Sequence, residues 1–597
     1  MIRLLRLLKG ACLGAAFTFL SADTYSQFFT PLGNFSSSEL EMTRCPFDKE
    51  AGAVYLLIEA SSSYDDEYRL ITQVHIRLKI LNDQAVEEGN VSIPFYSKDN
   101  FEFIDDIEGL VANPDKNGGT QVTYLDKKAV FEKKTNQYYS EKKIAFPSVK
   151  AGSIIDYSYR SVQKHYGGLD NWYFQKEYPV VLNKYHLVIL PNFEFAYQVI
   201  KSDGMHVDMK QDASEGSITF SMKEIPGLRF EPFMESARDY MQRVEFQLAR
   251  GARGERYRGS WDDVAREMYA DRYFGKQVYD KLSGTESFVK SLDTCTSEFI
   301  KMSLVYNYVR AYMGWNGIDS KYSPDGIKKA WDKKTGTSGE LNLILLNLLN
   351  SAKLDAFPIL VSERQHGKVY AANPFADQFN TVYALVNIGD QTYYLDASNK
   401  STYPGIIPFN ILNTTGLIIT KKAGKLQGIT DSNFIYRDIS DIRTTIDENG
   451  TAKGAGILRS YQYAKTDRLP GYRENAEKYE NGNFKGIPGI SLTDFKVTNT
   501  DTDSLPLTHQ FGFSFPLTST GEYTFIPINI FTGITTSNPF ISDNRFTNIN
   551  FGYNQVFQSV DQIEIPDQFG IESIPRSIRL SNADQSISFT RSIEKDP

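Results

Sequence analysis

Between about residues 50 and 230, apolar residues recur at every second position, which is the period of a β-strand with one buried face. The clearest run has its apolar side chains at Val74, Ile76, Leu78 and Ile80. His75, Arg77 and Lys79 fill the positions between them, and we expect these three to face solvent. Turn signals at short intervals separate the runs, so this region is predicted to form antiparallel sheets packed as a sandwich.

Helical spacing replaces this alternation between about residues 235 and 355. The clearest helical row consists of Phe299, Met302, Val305, Tyr306 and Val309. Strand patterns return at 357–362, 382–386 and 392–395, so helices precede a sheet in an α+β order. From about residue 425 the chain is again strand-like, and we expect a second sandwich there.

A chain of 597 residues is too long for one hydrophobic core, and the patterns divide it into three domains after a leader. The predicted fold class is multi-domain and β-rich with an α+β centre. Aromatic residues make up 13%, mostly Tyr and Phe, which favours strands. The predicted boundaries are 1–26 for the leader, 27–235 and 421–597 for the two β domains, and 236–420 for a helical linker with the α+β domain.

The first residues resemble a secretory signal peptide, with Arg3, Arg6 and Lys9 ahead of an apolar run at 11–22. That run is too short to span a bilayer comfortably, and we expect cleavage before Gln27, with Ala22 as an alternative site. No later stretch approaches the length of a membrane span, so the mature chain is predicted to lack one. We expect an exported protein in the periplasm or associated with the cell envelope.

Charge and cysteine content limit the classes of partner. Lys and Arg number 65 against 73 acids, a formal charge of -8, which offers no basic stripe for DNA or RNA. The scattered histidines and cysteines lack metal-ligand spacing, and no phosphate-binding loop is present, so no metal or cofactor is expected. Cys45 and Cys295 remain after processing, either as one disulfide or as two thiols.

Residues 336–346 open a helix that is apolar almost all round, as expected of a buried helix. Thr337 and Glu340 form the Thr-x-x-Glu pattern of a capping box at its start. Two strands follow, one beginning at Phe379-Asn380-Thr381 and one ending at Leu395-Asp396-Ala397.

This order of segments resembles the transglutaminase-like superfamily, whose members carry a cysteine at the helix start, a histidine on one strand and an aspartate on the next. The resemblance places Ser338, Thr381 and Asp396 at the three positions. A cysteine there gains thiolate character from the helix dipole and the imidazole, and the aspartate orients that imidazole. A serine hydroxyl needs a base, which threonine does not supply.

Residues 146–157 and Trp172-Tyr173-Phe174-Gln175 resemble the DUF3857 domain that precedes transglutaminase-like domains in many envelope proteins of Bacteroidota. Together the two resemblances cover most of residues 50–415. Relatives generally continue past the last residue here with a further hairpin and helix, so either the last domain closes its sheet differently or the sequence is truncated.

The resemblance implies a degenerate, non-catalytic domain that holds a peptide, protein or glycan. The alternative is an active amidase, protease or acyltransferase with Ser338 as nucleophile and an unidentified base; a third reading, by analogy alone, is a module of a surface-polysaccharide or secretion system. His366, in a polar turn, is expected to be a solvated hairpin residue rather than that base. Trp172 and Trp315 become candidate ligand contacts only if exposed.

Overall fold

The computed structural model describes residues 29–595, except 116–118, 165–168, 192, 251–258, 529–530, 532–537 and 543. The predicted leader, residues 1–26, lies outside the described residues. Within the described ranges, every helix is too short or too polar to cross a membrane. The chain is β-rich and folds around several separate sheets.

The N-terminal region is built on one eight-stranded sheet in the order β12-β13-β10-β1-β2-β8-β4-β5. Strands β1 and β10 are parallel, and the other neighbours are antiparallel. The strands are β1 Ala53–Tyr64, β2 Leu70–Ile80, β4 Glu102–Pro114, β5 Thr120–Tyr124, β8 Ile154–Gln163, β10 Val180–Val188, β12 Asp208–Asp212 and β13 Ser217–Ile225.

Two small sheets cover the apolar face of the large sheet. One has the order β3-β7-β6 and the other β11-β14-β9. Val74 packs with side chains of β14, and Leu78 packs with side chains of β3 and β7, so the predicted core face is buried as expected. The added strands are β3 Asn90–Tyr96, β6 Val130–Lys134, β7 Tyr139–Ala145, β9 Trp172–Tyr173, β11 Glu194–Ile200 and β14 Arg243–Arg250.

The prediction of a solvent-facing side for β2 is wrong. His75, Arg77 and Lys79 are each only 2% exposed. Residues 29–47, which include the short helix α1 Ser37–Glu41, lie over this face and bond to its charged groups. Alternation shows which residues share a face, but it does not show that another segment covers the polar face.

The central region places helices before a five-stranded antiparallel sheet of order β19-β18-β17-β20-β21, which confirms the predicted α+β order. Met302, Val305, Tyr306 and Val309 are fully buried, whereas Phe299 is 39% exposed. The helices are α2 Trp261–Ala270, α3 Glu286–Ser291, α4 Glu298–Tyr312, α5 Ile327–Lys333 and α6 Ser338–Ser351. The strands are β15 Gly314–Trp315, β16 Thr335–Gly336, β17 Asp355–Val361, β18 Thr381–Ile388, β19 Gln391–Leu395, β20 Thr414–Ile419 and β21 Gly424–Ile429.

The C-terminal region is not the second sandwich that strand patterns predicted. Its main sheet has the order β24-β25-β23-β22-β28, and helices α7 Tyr463–Glu474 and α8 Ala476–Phe484 pack against it. Tyr479 and Phe484 of α8 join Phe511 in a cluster of aromatic rings. The strands are β22 Tyr436–Ile446, β23 Thr451–Gln462, β24 Ser491–Thr498, β25 Leu507–Pro516, β26 Thr518–Thr520, β27 Tyr523–Phe525, β28 Gln555–Glu564, β29 Ile578–Ser581 and β30 Ser588–Arg591.

The two cysteines that remain after the predicted cleavage are free thiols. Cys45 is fully buried beneath residues of the N-terminal sheet, and Cys295 is partly exposed near the start of α4. The alternative of a disulfide between them is therefore wrong for this structure.

Candidate functional site

Helix α6 begins at the capping box that the sequence predicted. The Thr337 hydroxyl accepts the Glu340 N–H at 3.2 Å, and the Glu340 carboxylate accepts the Thr337 N–H at 2.9 Å. Two donors at the helix start are thereby satisfied reciprocally. The helix then buries every residue from Ser338 to Leu349, because it lies between the other helices and the sheet.

Ser338 is 3% exposed, and a loop at residues 318–322 closes over it. Its hydroxyl oxygen accepts the Ser320 N–H at 3.0 Å, and its own N–H donates to the Ile318 carbonyl at 3.0 Å. The loop is seated tightly, since a Cβ at Gly339 would lie 2.5 Å from the Ser320 carbonyl oxygen. The N–H of Ser338 is therefore already bonded and is not free to bind an oxyanion.

Asp319 is the acidic group that contacts Ser338. Partial burial of its carboxyl raises the pKa, the hydrogen bond with Ser338 lowers it, and the charge of Asp396 raises it further, so the pKa stands above its ordinary value. The other acceptor within reach of the Ser338 proton is the Ser320 carbonyl, at 3.5 Å. Sequence reasoning missed Asp319, because nothing in the spacing links residue 319 to residue 338.

Thr381 is the first residue of β18, pairs with Val361 and is 3% exposed. Helix α6 packs against this strand, and Asn342, one turn after Ser338, donates to the Val382 carbonyl at 2.9 Å. Thr381 thus begins the strand that packs against α6. Among the described side chains, no hydrogen bond joins Ser338, Thr381 and Asp396 to one another.

One carboxylate oxygen of Asp396 is engaged by neutral donors. Its Oδ1 atom accepts from Asn342 at 3.1 Å, from the Ser398 N–H at 2.9 Å and from the Ser398 hydroxyl at 2.6 Å. Asn342 also accepts the Ala397 N–H at 2.7 Å, and Tyr306 donates to the Asp396 carbonyl at 2.9 Å. The carboxylate therefore shapes a turn and fastens it to α6, which is the structural role that an aspartate at a strand end commonly has.

Glu363 forms a second acidic centre that sequence reasoning missed. Its carboxylate accepts from Asn380 at 2.8 Å, from the Tyr383 hydroxyl at 2.9 Å and from Asn410. Burial raises the pKa of Glu363, the bonds from Asn380 and Tyr383 lower it, and the charges of Asp319 and Asp396 raise it, so the pKa ends above its ordinary value. The surroundings of Ser338 are therefore acidic, which disfavours an alkoxide.

His366 is not the solvated hairpin residue that was expected. Its Nδ1 lies 2.9 Å from the Ser362 hydroxyl, which donates to the Gly367 carbonyl, and its Nε2 lies 3.1 Å from an Arg238 nitrogen. Since the guanidinium only donates, Nε2 accepts and Nδ1 carries the proton. Burial and the charge of Arg238 lower the pKa of His366 to about 4. The imidazole is neutral and bound to groups other than Ser338.

The two tryptophans differ. Trp315 is 46% exposed in the loop region beside Ser338, with its indole N–H on the Ile318 carbonyl at 3.0 Å. Trp172 is half-buried, stacks on Tyr185 with ring centroids 4.7 Å apart and donates to Asn183. Of the two tryptophans, only Trp315 is exposed and therefore accessible to a ligand.

A cavity of about 590 Å³ lies in the N-terminal region, lined by side chains such as Phe195, Ile218 and Phe246. In the described ranges, no group of three or more His, Cys, Asp or Glu side chains has the arrangement of a metal site.

Comparison with protein-family models matches residues 67–229 to DUF3857, a domain of unknown function with solved structures. Among solved structures, a putative protease from Parabacteroides distasonis ATCC 8503 aligns with a TM-score of 0.51 and 12% identity, over 78% of this chain and 93% of that one. A putative cysteine protease from Cytophaga hutchinsonii aligns with a TM-score of 0.18 and 10% identity, over 43% of this chain and 83% of that one. No curated protein matches.

The family match covers strands β2 to β13 of the N-terminal sheets, in agreement with the resemblance of residues 146–175. At 12% identity, the likeness to the Parabacteroides structure concerns the fold alone. The chain therefore shares most of its architecture with a protein described as a putative protease.

Proposed function

We propose that this chain is an exported cell-envelope protein whose central domain is transglutaminase-like in fold and non-catalytic, and that it binds a peptide, protein or glycan. The leader-like residues 1–26 support export, and the order of helix and strands supports the superfamily. The observation that carries the proposal is the bonding of Asp396, whose Oδ1 atom already accepts three neutral donors.

Each element of an acyl-transfer site is missing or occupied. The nucleophile position holds a hydroxyl, the base position holds Thr381, and the Ser338 N–H is bonded to the Ile318 carbonyl. The helix dipole does not replace a base, since it contributes only about 0.3–1 kcal/mol at ordinary sites.

Ligand binding is proposed for the surface beside the closed helix start. Trp315 is exposed there, and an aromatic ring with a free face stacks on sugars or packs against peptide side chains. Asp319 on the same loop adds a carboxyl group within four residues of that ring.

The second candidate is amide hydrolysis or acyl transfer by Ser338, and the contact with Asp319 is the observation that favours it. A carboxyl group close enough for Ser338 to lower its pKa is a candidate acceptor for the hydroxyl proton. It is a weak base compared with imidazole, and no free oxyanion donor at Ser338 accompanies it.

The test compares purified wild-type protein with Ser338→Ala, using peptide substrates with and without amine donors. We expect no turnover above the variant. In parallel, peptide and glycan arrays should retain ligand with Ser338→Ala and lose it with Trp315→Ala. Turnover that disappears in Ser338→Ala would establish the second candidate instead.

A further inference from the structure

The N-terminal sandwich is open along one edge. In the described ranges, strand β12 ends the eight-stranded sheet, and strand β11 ends the small sheet β11-β14-β9 that packs on it. The two edge strands belong to different sheets and do not pair with each other. Tyr197 of β11 contacts Phe220 of β13, with ring centroids 5.2 Å apart, and is nevertheless 40% exposed. The inner face of the sandwich is therefore accessible to solvent at this edge.

The cavity of about 590 Å³ lies between the two sheets at this edge. Its wall includes buried apolar side chains of both sheets, Leu187 of β10, Ile218 of β13 and Phe246 of β14. Phe195 and Tyr197 of β11 also line it, and these two are only partly buried. The volume is within the range of about 300–1,000 Å³ that is usual for small-molecule sites, and an apolar wall is typical of them. A hydrocarbon chain bound there is removed from water.

The polar part of the lining is acidic. The turn between β12 and β13 contributes the carboxyl groups of Asp212 and Glu215. The other polar side chains of the turn and its flanks, Gln211, Ser214 and Ser217, are neutral. No Lys, Arg or His is among the described residues that line the cavity. Because Glu215 is exposed and Asp212 is half-buried, their charges lie toward the solvent side and favour a positively charged head group there.

Hydrogen bonds within the turn fix the position of these acids. Asp212 Oδ1 accepts the Ser214 hydroxyl at 2.5 Å, the Ser214 N–H at 2.9 Å and the Glu215 N–H at 3.3 Å. The bonds from Ser214 and Glu215 lower the pKa of Asp212, so its carboxylate is ionised at neutral pH. Glu215 accepts the Ser217 hydroxyl at 3.3 Å. The turn therefore presents a fixed negative charge beside the apolar wall.

We propose that this cavity binds a cationic amphiphile, with an alkyl chain between the sheets and an ammonium head against Asp212 and Glu215. Burial of the chain supplies most of the affinity, since the free energy of transfer grows with the apolar area removed from water. The carboxylates select the head group, because complementary charge contributes more to specificity than to affinity. This site is separate from the surface beside Trp315 and belongs to a different region of the chain.

Three probes test the proposal. Octylamine, octanol and octanoate share the alkyl chain and differ only in the charge of the head group. Their affinities for the full-length chain are measured by isothermal titration calorimetry at pH 7. We expect octylamine to bind about tenfold more tightly than octanoate, with octanol between them, because two acids attract the first and repel the last.

Two kinds of substitution locate the binding. Leu190→Trp adds bulk to a half-buried position of the lining and should weaken all three probes at least about tenfold. Asp212→Asn combined with Glu215→Gln keeps the Oδ1 acceptor of the turn and removes both charges. This double variant should weaken octylamine about threefold to tenfold, leave octanol unchanged and strengthen octanoate. Circular dichroism and thermal unfolding establish that each variant is folded, and Ile218→Phe replaces Leu190→Trp if that variant is not.

The matched control is Asp203→Asn combined with Glu224→Gln, which removes two exposed acids of the same region outside the lining. It should leave the affinities and their order unchanged, as should Trp315→Ala. A wild type that binds octylamine no more tightly than octanoate would overturn the proposal. So would an octylamine affinity that Leu190→Trp leaves unchanged, or one that falls as much in the control as in the double variant of the turn.

Discussion

Two groups of carboxylates in this molecule have opposite electrostatic surroundings. Beneath residues 29–47, the carboxylates of Glu59 and Asp156 face His75, Arg77 and Lys184. The pKa of both acids is lowered. At the candidate site, Asp319 and Glu363 feel the charge of Asp396, accept hydrogen bonds from neutral groups, and have a raised pKa.

The difference shows where the fold uses charge for stability and where it does not. A paired carboxylate adds stability once it is ionised, whereas an acid with a raised pKa costs stability when it ionises. Regions that reduce stability without a packing benefit are frequently functional. The acidic surroundings of Ser338 oppose an alkoxide there, which agrees with the proposed non-catalytic role.

The largest effect is expected from Asp156→Ala, which removes the acceptor for His75, Arg77 and the Gly33 N–H. Loss of one partner from a buried ionic group costs about 3–5 kcal/mol. Hydrogen exchange of strand β2 in a urea series measures this cost. A loss below about 1 kcal/mol would mean that the network is screened like a surface pair.

Acid should protonate the carboxyls of the candidate site first, because their pKa is raised, and should weaken the network beneath residues 29–47 only at lower pH. Burial raises the pKa of Glu59, but bonds with His75 and Lys184 outweigh it and leave the pKa at about 2 instead of 4.5. The difference corresponds to on the order of 3 kcal/mol, present above pH 4.5 and lost as the pH falls to 2. In Glu59→Gln, the same hydrogen exchange should lose this acid dependence; an unchanged dependence would assign it to another group.

Two substitutions test whether Asp396 stabilises a turn or acts as the third residue of a catalytic triad. Asn342→Leu removes three buried hydrogen bonds and should cost about 1–3 kcal/mol, measured by urea unfolding. Asp396→Asn keeps an oxygen at the Oδ1 position, which accepts all three hydrogen bonds made to the Asp396 side chain. It should therefore cost less than about 1 kcal/mol of unfolding free energy. A larger loss in Asp396→Asn than in Asn342→Leu would show that the charge itself is needed.

The smallest effect is expected from Thr337→Ala at the capping box. Loss of a threonine cap costs about 0.5–2 kcal/mol, and Thr337 is buried with both reciprocal bonds formed. Thermal unfolding measures the change, with Thr337→Ser as the matched variant that keeps the hydroxyl. Equal losses in the two variants would assign the effect to the methyl group rather than to the cap.

Periodicity and local signals predicted much of the central fold. The capping box, the buried helix α6 and strands β17, β18 and β19 lie where the sequence placed them, because each is specified by neighbouring residues. The C-terminal helices α7 and α8 were missed, since α7 contains Pro470 and neither helix has a strong apolar stripe. Tertiary packing, rather than propensity, makes them helical.

What sequence reasoning could not provide were contacts between distant segments. His75 was predicted to face solvent, because the segment 29–47 that covers it lies about 40 residues earlier in the chain. Asp319 and Glu363 approach Ser338 and Asp396 only through the fold. The free state of Cys45 and Cys295 likewise depends on the fold, since two cysteines alone are compatible with a disulfide or with two thiols.

The most direct test of a non-catalytic helix start is covalent labelling of Ser338 with a fluorophosphonate, read by intact mass beside an active serine hydrolase. An activated serine with an oxyanion site forms a stable adduct, whereas a hydroxyl that accepts the Ser320 N–H and has threonine at the base position does not. We predict no adduct in the wild type under conditions that fully label the control enzyme. One adduct per chain that is absent from Ser338→Ala would contradict a non-catalytic site.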